Sequence, residues 1–116
     1  MEYKIINPEY LTEISTSPVF IKKMISLFKK NIADFETIMN EAIQKKDFYR
    51  LGDISHKAKS SVMIFGMKKQ ADEMKALELD AKSEEKTETY QNRVNNFISM
   101  CKDALLEIDV FENELN

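Results

Sequence analysis

The chain of 116 residues contains two glycines, two prolines, one histidine, one cysteine and no tryptophan. Average usage would supply roughly fourteen glycines and prolines at this length. A β-rich fold needs turn residues every few positions, and a Rossmann or P-loop phosphate site needs clustered glycines. Neither can be built from this supply. One Cys forms no internal disulfide, and one His with one Cys cannot provide the three or four ligands of a zinc site. No apolar run approaches the roughly 20 residues that span a bilayer. The start of the chain, Met1-Glu2-Tyr3-Lys4-Ile5-Ile6, has neither the apolar core nor the cleavage site of a signal peptide. A basic excess is also missing: 17 Lys and Arg against 20 Asp and Glu leave a net charge of −3. The lysine pairs Lys22-Lys23, Lys29-Lys30 and Lys68-Lys69 are interleaved with acidic residues and read as solvated helix faces. These absences predict a cytoplasmic protein with no nucleic-acid partner and no membrane insertion.

What is present is ordinary for a globular domain, 43% hydrophobic and 32% charged. No repeat, low-complexity tract or linker divides the chain, so one domain over 1–116 is expected. Apolar residues recur at helical spacing almost throughout. Asn7-Pro8 reads as an N-cap with Pro at the first helical position, opening a short helix with Tyr10, Leu11 and Ile14 on its apolar side. Ser17-Pro18 opens a long helix over about 18–45, with Phe20, Met24, Leu27, Phe28, Ile32, Phe35, Met39, Ala42 and Ile43 as its stripe. Asp47 caps a third helix carrying Phe48, Leu51, Ile54, Ala58, Val62 and Phe65, which Gly66 ends. A fourth, about 68–82, buries only Ala71, Met74, Leu77 and Ala81. After a polar connection at 83–87, the last helix carries Tyr90, Val94, Phe97, Cys101, Leu105, Ile108 and Phe111. The expectation is an all-α fold: an antiparallel four-helix bundle with a short additional N-terminal helix, a monomer. Cys101 on the apolar stripe and most methionines read as core filling.

The third helix stands out. At 100° per residue Leu51, Ile54, Ala58, Val62 and Phe65 fall within about 80° of one another, and His56 lies almost opposite that arc. The chain's one histidine is therefore predicted to face solvent from mid-helix. Its neighbours on that face are Tyr49, Gly52, Asp53, Lys59, Ser60 and Met63. Gly52 and Ser60, one turn before and after, are small. Gly inside a helix costs about 0.5–1 kcal/mol relative to Ala, and clearance around the imidazole is one compensating reason. Lys59 places a fixed positive charge three residues from His56, and Tyr49 and Met63 add apolar surface suited to docking.

Residues 56–66, His-Lys-Ala-Lys-Ser-Ser-Val-Met-Ile-Phe-Gly, resemble the signature of histidine-containing phosphotransfer (HPt) domains: a His, a Lys three residues on and a Gly ten residues on, with small residues between. Leu77-Glu78 falls where the family often carries a Leu-Glu pair, and the resemblance covers about residues 8–110. Ala58 stands where the family commonly has Leu, and Ser60 where it commonly has Gly; the Ser60 hydroxyl can donate to a phosphoryl oxygen. The resemblance implies that His56 accepts a phosphoryl group from a receiver-domain aspartyl phosphate and passes it to another receiver Asp. Lys59 would offset charge on the transferring group. Imidazoles titrate at about pH 6.5, so the neutral nucleophile is available at pH 7. Gly52, Ser60 and Gly66 would give clearance and end the helix, and Tyr49, Asp53 and Met63 would dock the partner. The implied partners are response-regulator receiver domains and a hybrid sensor histidine kinase. No cofactor is expected on this chain, the Mg²⁺ belonging to the receiver, and no nucleotide site, so the protein is a phosphoryl carrier rather than an enzyme.

Two other readings fit parts of the sequence. A non-catalytic four-helix docking or dimerisation module would tolerate replacement of His56. A carboxylate-bridged di-metal bundle, suggested by Asp53-x-x-His56, needs paired Glu-x-x-His motifs and two further inward Glu residues, which a chain with one outward His does not have. Asp53 beside His56 reads as a solvated carboxylate or as a partner that sets the ring tautomer.

Overall fold

The computed structural model describes residues 2–115 as an all-helical chain with no strand among them. Five α-helices follow in order: α1 Pro8–Ile14, α2 Pro18–Gln44, α3 Phe48–Met63, α4 Lys68–Lys82 and α5 Tyr90–Glu114, with a single 3₁₀ turn, Thr87–Thr89, before the last. Met1 and Asn116, the two ends of the expected domain, lie outside the described residues. The molecule measures 45 × 21 × 21 Å, its long dimension close to the roughly 40 Å that 27 helical residues span. No helix among the described residues is long and apolar enough to cross a membrane.

The helix starts follow local chemistry. Asn7 accepts from the Glu9 N–H, Ser17 from that of Phe20 and Asp47 from that of Arg50, each side chain satisfying one donor that a helix N-terminus leaves unpaired. Pro at the first turn of α1 and α2 costs nothing, because its missing N–H would have been one of those donors.

One apolar core runs through the molecule. α3 packs closely on α4, and α2 lies against α3 and α5, with α4 also touching α5. The core residues expected on α4 (Ala71, Met74, Leu77 and Ala81) and the expected arc of α3 are all buried. On α2 the buried stripe is Ile21, Ile25, Phe28, Ile32, Phe35, Met39 and Ala42. Phe20 and Leu27, expected in the stripe, sit about 100–120° from its centre on the helical wheel. Leu27 is exposed, and so are Tyr10 and Ile14 of α1, where a seven-residue helix has only Leu11 to bury. On α5, Ile98 and Ala104 are buried with the expected residues, except Leu105, which is half-buried. Cys101 is fully buried, which pushes its thiol up to about 12 and leaves it an inert core group.

Candidate functional site

His56 lies in the middle of α3, and its side chain is 57% exposed. The ring is nonetheless held. Its Nδ1 lies 3.1 Å from Oε1 of Glu78, a carboxylate that projects from α4 and is only 14% exposed. An ionised carboxylate can only accept, so Nδ1 carries a proton, and in the neutral ring Nε2 keeps its lone pair. Nε2 bonds to nothing among the described residues. The other Glu78 oxygen, Oε2, accepts from Lys82 Nζ at 3.2 Å. Lys82 also lies 3.4 Å from Asp53 Oδ1 and 5.5 Å from the centre of the Tyr49 ring. Asp53, His56, Lys57, Glu78 and Lys82 line a shallow cleft of about 250 Å³.

The charges reinforce one another. Burial alone would raise the Glu78 carboxyl, but the hydrogen bonds from His56 and Lys82 outweigh it and hold the group below its ordinary value. Lys82 is raised, first by its hydrogen bond to Glu78 and further by Asp53. Glu78 is thus a fixed anion beside the ring. Neither Lys57 nor Lys59 forms an ion pair within the described residues, so two uncompensated cations flank the site.

The expected site residues are placed as follows. Tyr49, Asp53 and Ser60 are exposed on the His56 face, whereas Lys59 and Met63 are half-buried. The Ser60 hydroxyl lies 3.4 Å from the His56 carbonyl oxygen, one turn back along its own helix. Asp53 is committed to Lys82, and the group that sets the ring tautomer is Glu78. Gly52 is buried, and its missing side chain makes room for α4. A Cβ there would come within 2.7 Å of Lys82 Cγ and 3.3 Å of the Glu78 carbonyl oxygen. The wheel puts Gly52 about 40° to one side of His56, and that is the flank on which α4 lies. Gly66 ends α3 with φ +68°, and a Cβ would meet Asn7 and Tyr10 of the N-terminal segment at 2.6–2.8 Å.

Sequence reasoning did not identify Glu78 and Lys82 as the ring's neighbours. A signal for them exists in the turn. An αα-hairpin folded at Gly66-Met67 sets residues equidistant from that turn opposite one another. His56 is ten before Gly66 and Glu78 eleven after Met67; Gly52 and Lys82 stand fourteen before and fifteen after. No group of three or more His, Cys, Asp or Glu is gathered to hold a metal ion among the described residues. The chain matches no protein-family profile, no curated protein and no solved structure.

Proposed function

We propose that this chain is a phosphohistidine carrier of the HPt type, taking a phosphoryl group on His56 from a receiver-domain aspartyl phosphate and returning it to the Asp of another receiver. The observation that carries the reading is the setting of the one histidine: exposed at mid-helix, with Nδ1 bonded to a half-buried carboxylate and Nε2 without a partner among the described residues. A histidine serving only solubility needs no such partner. In the same reading the cycle of contacts α2–α3–α4–α5 is an antiparallel four-helix bundle with α1 added at its N-terminal end, and the protein is a cytoplasmic monomer.

The chemistry follows from the geometry. The Nε2 lone pair attacks phosphorus in line as the phosphorus–oxygen bond to the partner's Asp breaks, and the electron pair leaves with that carboxylate. The proton on Nδ1 stays, so the ring becomes cationic. Glu78, 3.1 Å away, opposes the new positive charge, which lowers the barrier most where the charge is largest. Lys59 and Lys57 lie on the same helix to offset negative charge on the phosphoryl oxygens. The Mg²⁺ is the receiver's, and nothing on this chain is needed to hold it. Tyr49, Asp53 and Met63 form the surrounding contact surface, within which Met63 is half-buried.

Incubation with a phosphorylated receiver domain and Mg²⁺ tests the proposal directly. Wild-type protein is expected to take up acid-labile, alkali-stable phosphate, and His56→Gln none. No uptake by wild type, or equal uptake by the variant, would overturn the assignment and leave a docking module in its place.

A further inference from the structure

Lys82 has no part in the chemistry above, yet the cluster is arranged around it. Its Nζ is 3.2 Å from Glu78 Oε2, 3.4 Å from Asp53 Oδ1 and 5.5 Å from the centre of the Tyr49 ring. To reach Asp53 and Tyr49 its stem must cross α3, and it does so at Gly52, where a Cβ would lie 2.7 Å from Cγ and 3.1 Å from Cε. A glycine in mid-helix costs about 0.5–1 kcal/mol relative to alanine, and here it admits a lysine from the neighbouring helix. The two oxygens of Glu78 are divided, Oε1 toward the imidazole and Oε2 toward the ammonium.

We propose that Lys82 is a positioning residue: seated over Gly52 and held by Asp53 and Tyr49, it fixes the Glu78 carboxylate so that Oε1 faces His56 Nδ1 and the ring stays in the Nδ1–H tautomer. Without the ammonium, Asp53 and Glu78 flank the ring as two carboxylates with no cation between them, and Glu78 is free to turn. Lys57 and Lys59, the other charges of the His56 face, do not pair with Glu78. The inference deepens the phosphotransfer reading, which gives the tautomer its use, but the tautomer is a property of the resting protein and can be read without any partner.

The protein has one histidine, so its ring ¹⁵N resonances report His56 alone. Above the imidazole titration, wild type is expected to be mainly Nδ1–H. Lys82→Met keeps the stem and removes the charge; it should move the population toward the Nε2–H form that free imidazole side chains favour. Phosphoryl uptake from phosphoramidate should fall about threefold to tenfold, the worth of one ordinary hydrogen bond. Lys82→Arg should restore both. Gly52→Ala, which leaves the charge but displaces the stem, should reproduce Lys82→Met while far-ultraviolet circular dichroism stays helical. A Lys82→Met ring spectrum identical to wild type overturns the proposal. A chain that takes no phosphate from a receiver but whose ring responds to Lys82→Met refutes the phosphotransfer reading and supports the positioning. Uptake with a ring indifferent to Lys82 does the reverse.

Discussion

Glu78 is where single-residue chemistry decides most. Its carboxyl sits below the ordinary 4.5 because the His56 and Lys82 hydrogen bonds outweigh the opposing effect of burial. A folded-state pKa below the unfolded one stabilises the fold above the unfolded value, and the gain is lost as pH falls through the folded one. Urea unfolding at a series of pH values should therefore show wild-type protein losing more stability than Glu78→Gln below about pH 4.5. Equal acid sensitivity in the two proteins would mean that Glu78 is not held as described. The sequence made His56 legible, because packing gave a lone histidine opposite the apolar arc no reason to be there. It left Gly52 ambiguous, since a missing side chain can make room for a ring or for another helix, and only the approach of α4 distinguishes them.

Helix ends show why so few glycines suffice. After α2, the Asp47 N–H bonds to the Ala42 carbonyl and Lys46 takes φ +54°; after α4, Glu85 bonds to Asp80 and Glu84 takes φ +52°. After α3, Met67 bonds to Val62 and Gly66 takes φ +68°. All three close in the same way, with one residue in the left-handed region capping the last carbonyls. Only at Gly66 does the N-terminal segment lie against the position where a side chain would be. Gly66→Ala should accordingly destabilise by about 1–3 kcal/mol, combining left-handed strain with the clash against Asn7. Lys46→Gly should be neutral to stabilising, by up to about 1 kcal/mol. Thermal or urea melts of the two variants check both signs. Element starts at Asn7, Ser17 and Asp47 were readable because a cap acts over three residues. The α2 stripe was read partly off its centre, because Phe20 and Leu27 satisfy a three-and-four spacing as well as Ile21 and Ile25 do.

Across the whole molecule, the segment before α1 ties the two ends of the chain together. The Glu107 carboxylate on α5 accepts from the backbone N–H groups of Lys4, Ile5 and Ile6 at 2.9–3.1 Å. Tyr3 sets its ring edge-on to Phe111, and the Asn7 N–H bonds to the Phe65 carbonyl at 2.8 Å. Glu107→Ala should leave those N–H groups without an acceptor and cost about 1–3 kcal/mol. Amide exchange at Lys4, Ile5 and Ile6 should accelerate far more than exchange at Leu51 or Val94 in the core; uniform acceleration would show the segment to be part of the global unit instead. Nothing local announces this clamp, because its partners are about a hundred residues apart. The same division holds for the site. The sequence by itself determined the helices, their caps and the outward face of His56, since periodicity and capping act over a few residues. Tertiary structure alone decided that Glu78 takes the ring nitrogen, that Lys82 crosses at Gly52 and that Glu107 holds the N-terminal segment. Those contacts depend on how far one helix approaches another, a distance set by the side chains of both helices together.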